Sequence, residues 1–99
     1  MAVVVMTRWK GGKEEEVVKI GKQAKVLWEK HGAEYFRLGR FHTGMWTGEY
    51  MVAVRFSSMA AYGKAQDGLA KDAAYQKVMA QAQNVAQLMG RNIVVGIDL

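Results

Sequence analysis

The sequence predicts an α+β fold in which helices cover one face of a four-stranded antiparallel sheet. Three observations carry that prediction. Val3, Val4 and Val5 open a β-branched run that continues to Trp9. Two long stretches repeat apolar residues at spacings of three and four, the period of a helix face. Between them Glu49 to Phe56 alternates at period two, the pattern of a strand with two distinct faces.

Residues 2 to 9 read as the first strand, and Gly11-Gly12 breaks it. Glu14, Glu15 and Glu16 then fall in the first turn of a helix, where carboxylates complement the positive end of the helix dipole. Val17, Ile20, Gly21, Ala24, Leu27, Trp28 and His31 form one apolar stripe, and Gly32 supplies the stop. Residues 33 to 42 read as a second strand with mixed faces. Thr43-Gly44 and Thr47-Gly48 bracket Met45-Trp46, a glycine-flanked loop with one large aromatic. Residues 49 to 56 form the third strand, a hairpin partner of the second. Tyr50, Val52, Val54 and Phe56 share one face; Glu49, Met51, Ala53 and Arg55 share the other.

Ser57 or Ser58 caps the next helix, which runs to about Ala70 with Tyr62, Ala65 and Leu69 on its buried side. Asp72 is a fresh cap, so this second helix is split in two. Its second piece carries Tyr75, Val78, Met79, Ala82, Val85, Ala86 and Met89, and Gly90 ends it. Residues 91 to 99 form the last strand. Strand, helix, strand, strand, helix pair, strand is the ferredoxin-like βαββαβ arrangement, expected as one domain over residues 1–99.

Composition narrows the function classes. A chain of 99 residues buries only ~65% of its unfolded surface, so its core is thin and pairing with another chain would help it. It holds no cysteine, hence no disulfide and no thiolate nucleophile or metal ligand. The net charge of +5 comes from 14 basic and 9 acidic residues. Lysines alternate with glutamates from Lys13 to Lys30, which reads as a solvated helix face, and no nucleic-acid partner is expected. The apolar run Ala2–Met6 is too short for a signal peptide or membrane span, so the default expectation is a cytoplasmic protein with no membrane partner.

The sheet itself points to a partner. If Val3, Val5, Thr7 and Trp9 face the helices, then Val4, Met6, Arg8 and Lys10 face away, beside Met51, Ala53 and Arg55. Neither set is a polar, water-facing surface. A sheet apolar on both sides must cover the second side, and an isologous second copy packed sheet to sheet is the economical cover. A homodimer is therefore expected.

The chain also resembles the dimeric α+β barrel superfamily, which includes antibiotic-biosynthesis-type monooxygenases, EthD-like and NIPSNAP-like domains. Val3-Val4-Val5-Met6-Thr7-Arg8-Trp9 followed by Gly12-Lys13-Glu14-Glu15 carries the likeness, as does Tyr50 to Tyr62, a strand running into a serine-capped helix with an aromatic four residues on. The likeness covers nearly the whole chain, and its second half is closest to uncharacterised members. It implies a dimeric barrel. It does not imply a reaction, because these are fold cues rather than catalytic signatures.

Candidate chemistry is sparse. His42, at the end of the second strand beside the aromatic loop, is the one candidate catalytic residue; an exposed loop-edge histidine is the plainer reading. His31 reads as a helix-end imidazole. Arg8 and Arg55 share the outward sheet face if the alternation holds, and Arg37 joins them with Tyr35 on one of the two registers open to the second strand. They form either an anion-recognising pocket or intersubunit salt bridges, with Glu49 or Asp98 as partners. Trp46 lines a cavity, plugs the barrel or meets a partner subunit. No H-x-x-x-H or H-x-H spacing exists, so no metal is expected, and the superfamily's metal- or haem-binding members use a histidine that no motif places here. No P-loop, G-x-S-x-G or G-x-G-x-x-G is present, and no cofactor is expected. Residues 49 to 56 do not match an RNA-stacking strand. The favoured expectation is a homodimer that binds a small apolar or aromatic molecule between its sheets through Arg8, Tyr35, Arg37, Trp46 and Arg55. The alternatives are a cofactor-independent monooxygenase or isomerase acting on a quinol-type substrate, and a packing protein with no ligand.

Overall fold

The computed structural model describes residues 1–99. Its elements are β1 (Val3–Lys10), α1 (Glu14–Lys30), β2 (Tyr35–Arg40), β3 (Tyr50–Phe56), α2 (Met59–Ala70), α3 (Ala73–Val85) and β4 (Gln87–Val95). The four strands form one antiparallel sheet in the order β2-β3-β1-β4. This is the expected α+β, ferredoxin-like architecture, with the second helix divided.

Local chemistry explains the breaks. Gly11 and Gly12 both have positive φ, +95° and +84°, and turn the chain from β1 into α1. Glu14, Glu15 and Glu16 occupy the first turn of α1. The Ser58 hydroxyl accepts from the Ala61 N–H at 3.1 Å and caps α2. Asp72 caps α3 by accepting from the Ala74 N–H at 3.0 Å.

One boundary differs from the sequence reading. The apolar stripe of the last helix was expected to run to Met89, with the final strand at residues 91 to 99. Instead α3 ends at Val85, Ala86 is already extended (φ −142°, ψ 161°), and β4 spans Gln87–Val95. Pairing decides this. Lys10 to Val3 of β1 face Gln87 to Val95 of β4 along the whole strand, with an irregularity between Arg8 and Trp9. That ladder satisfies more backbone groups than one further helical turn would.

The register sorts every strand residue to a face. Towards the helices point Val3, Val5, Thr7 and Trp9 of β1, Tyr50, Val52, Val54 and Phe56 of β3, and Phe36 and Leu38 of β2. Phe56, Leu69 and Val3 are fully buried there, and Trp28 meets Phe56 at a tilt with ring centres 5.9 Å apart and Tyr75 edge-on at 5.8 Å. The outer face reads in three rows across β2, β3, β1 and β4. They are Tyr35-Arg55-Val4-Val94, Arg37-Ala53-Met6-Asn92 and Gly39-Met51-Arg8-Gly90. No helix covers that face. Arg37 therefore lies on the outer side with Arg8 and Arg55.

Candidate functional site

A pocket of about 90 Å³ lies between the sheet and helices α1 and α3. Its floor is Val5, Thr7 and Trp9 of β1 with Val52 and Val54 of β3, and its roof is Ile20, Ala24 and Trp28 of α1 with Tyr75, Val78 and Ala82 of α3. Of 20 lining residues, 17 are hydrophobic, and the rest are Thr7, Gly21 and Arg91. Small residues line the space on the helix side: Gly21, whose Cβ position faces Leu38 of β2, and Ala24 on α1, Ala82 on α3 and Ala86 just beyond it. Larger side chains there would fill it.

The polar groups of the pocket are few and mostly tied. Trp9 Nε1 donates to Thr7 Oγ1 at 2.9 Å. Burial pushes the Tyr75 phenol above its ordinary 10.0, against a partial pull from the Arg91 charge. Tyr75 is therefore a neutral hydroxyl at neutral pH, able to donate or accept a hydrogen bond. Arg91 lines the pocket while remaining exposed, which sets it at the opening.

None of the six residues singled out from the sequence lines this pocket. The ligand was expected between two sheets; the apolar pocket lies on the opposite side of the sheet, under the helices. Arg8, Tyr35, Arg37 and Arg55 stand on the outer face, and His42 and Trp46 are exposed in the β2–β3 loop. Arg8 Nη1 is 2.6 Å from Glu49 Oε1, and its guanidinium lies 4.4 Å from the centre of the Trp46 ring, which itself meets Phe41 edge-on at 5.4 Å. Arg55 pairs with Glu34 at 2.6 Å rather than with Asp98. Arg37 stacks on Tyr35 at 4.1 Å. Within the single chain Arg8, Tyr35, Arg37, Trp46 and Arg55 make these pairwise contacts along the outer sheet surface and its loop, and none lines the sheet–helix pocket. No group of three or more His, Cys, Asp or Glu is arranged to hold a metal ion, and no helix is long and apolar enough to cross a membrane.

A family model described as a domain of unknown function (DUF6854) matches residues 2–96. The chain belongs to that family. No curated protein matches it. Among solved structures, SnoaB from Streptomyces nogalater, a cofactor-independent oxygenase, has a TM-score of 0.78 at 10% identity, covering 99% of this chain and 95% of that one. A protein from Chloroflexus aurantiacus assigned to the antibiotic biosynthesis monooxygenases gives 0.67 at 7% identity, covering 99% and 95%. A NIPSNAP family protein from Agrobacterium tumefaciens gives 0.66 at 11% identity, covering 97% and 94%. This DUF6854 member thus shares the ferredoxin-like α+β fold of these proteins. At such identities the likeness concerns architecture, and chemistry must be argued from the site.

The sequence reading missed Thr7, Tyr75 and Arg91 as site residues. Tyr75 and Thr7 carried a signal, since both stood on faces assigned to the helix side. Arg91 carried none until the β1–β4 register was known.

Proposed function

We propose that this protein is a homodimer in which each subunit binds one small ring compound in its own sheet–helix pocket. The observation that carries the binding reading is the lining: 17 hydrophobic residues out of 20 around one space. Its 90 Å³ is smaller than, but of the same order as, the roughly 150 Å³ apolar cavity that takes up benzene in an engineered protein. A single ring therefore suits it, with the flexible Met79 side chain at its edge able to yield. The outer-face residues Arg8, Tyr35, Arg37, Arg55 and Trp46 then serve the contact between copies instead of the ligand.

Titration with toluene, followed by two-dimensional NMR, tests the pocket. The methyl resonances of Val5, Val54 and Val78 are expected to shift together, and the shifts are expected to vanish in Ala82→Phe, whose ring occupies the space. Ala24→Leu serves as a second blocking variant should Ala82→Phe not fold. Absence of toluene-dependent shifts in the unmodified protein sets the reading aside.

A second reading, cofactor-independent oxygenation of the bound compound, draws on the same apolar lining and on the likeness in fold to SnoaB. An apolar site of this kind could orient an oxidisable ring and limit its contact with water without an added cofactor. Oxygen uptake with quinol-type substrates is its measure. Uptake no faster than that of Ala82→Phe removes it.

A further inference from the structure

Among the five arginines of the chain, four have a partner. Arg8, Arg40 and Arg55 each hold a carboxylate at 2.6 Å, and Arg37 lies over the Tyr35 ring. Arg91 has neither an ion pair nor an aromatic face. It is also the only charged residue that lines the apolar pocket.

Its position is not isolated. Thr7 is the cross-strand partner of Arg91 in the β1–β4 ladder, and both line the pocket. Directly opposed strand residues on one face stand about 4.5–5.5 Å apart, so the two side chains form a single polar spot in an otherwise greasy wall. The Thr7 oxygen already accepts the Trp9 N–H at 2.9 Å. That bond leaves the hydroxyl hydrogen free to point elsewhere, so both members of the spot present donors. The spot lies at the opening, where Arg91 keeps part of its hydration and a bound charge is not fully desolvated.

From this geometry we infer that the pocket selects a planar ring carrying one anionic oxygen group, with the ring inside and the anion at the mouth between Arg91 and the Thr7 hydroxyl. The inference rests on the ring-binding reading above and adds the ligand's charge. The guanidinium offers donors only and the Thr7 hydroxyl can turn its hydrogen towards the ligand, so a carboxylate gains charge-assisted hydrogen bonds that an amide or a methyl group of the same shape cannot make. The other polar lining groups do not oppose an anion: Tyr75 is a neutral phenol, and no carboxylate lines the pocket.

Benzoate, benzamide and toluene share a ring and differ only in the group at the mouth. With the same valine methyl resonances as the readout at neutral pH, benzoate is expected to bind about tenfold or more tightly than benzamide. Arg91→Met is expected to remove that preference and leave the toluene response intact; Thr7→Val is expected to narrow it by a smaller factor. Toluene and benzamide binding as tightly as benzoate, or a preference unchanged in Arg91→Met, overturns the anion inference while the pocket stands. No response to any of the three overturns both.

Discussion

Asp72 divides its two carboxylate oxygens between two helices. Oδ1 accepts from the Ala74 N–H at 3.0 Å, and Oδ2 lies 2.9 Å from Nε2 of His31 at the end of α1, with Lys30 Nζ at 3.7 Å. The imidazole fits there because residue 68 is glycine; a Cβ on Gly68 would come within 2.5 Å of His31 Nδ1. The His31 hydrogen bond, outweighing partial burial, holds the Asp72 carboxyl below its ordinary 3.8. A carboxylate lowered in the folded state stabilises it at pH values above 3.8, and that contribution fades as pH falls through the lowered value. Thermal unfolding of the protein and of Asp72→Asn should therefore differ at pH values above 3.8 and converge as the solution is taken progressively further into acid. Parallel curves over that whole span contradict the linkage. The Asp72 cap and the placement of His31 at the end of α1 were legible from single residues. The polar spot of the pocket was not, since Thr7 and Arg91 lie near opposite ends of the chain and meet only through a strand register that no local pattern encodes.

Among the elements, α1 and β3 followed directly from periodicity, β2 read only as a strand of mixed faces, and the α3–β4 junction was not legible. Met89 continues the helical spacing of α3, yet it belongs to β4, because pairing with β1 overrides a stripe that one face of a helix would also satisfy. The same junction explains a constraint on the β1–α1 turn. Gly12 has φ of +84°, and a Cβ there would meet Val85 Cγ1 at 2.8 Å and the Val85 carbonyl oxygen at 3.0 Å. Gly12→Ala therefore strains the backbone and pushes on the last residue of α3, at a cost of roughly 1–3 kcal/mol. Gly63 is the opposite case: it lies within α2 with nothing within 4 Å of a Cβ. Gly63→Ala is expected to stabilise by about 1 kcal/mol through helix propensity. Urea denaturation separates the two, and a Gly12→Ala midpoint at or above that of the unmodified protein contradicts the packing described at this turn.

For the whole molecule, the decisive asymmetry is between the two sides of one sheet. Helices close one side over Phe56, Val3 and Leu69 and leave a small apolar pocket beside them. The other side bears Val4, Met6, Met51, Ala53 and Val94 with no helix over it, and Val94 is 49% exposed. Two of the arginines set among them are paired, Arg8 with Glu49 and Arg55 with Glu34, while Arg37, stacked on Tyr35, keeps its charge. Alternation in β1 and β3 was enough to read this apolar outer side from the sequence, whereas the pocket's place under the helices depended on small residues from separate elements meeting in space. Water is a poor neighbour for so much aliphatic surface, and a second copy laid sheet to sheet removes it. Sedimentation equilibrium at micromolar concentration tests this most directly. The expected result is a particle of twice the 11.0 kDa chain mass, converted towards the single-chain mass by Ala53→Glu together with Met6→Lys. A single-chain mass for the unmodified protein at that concentration would contradict the central claim.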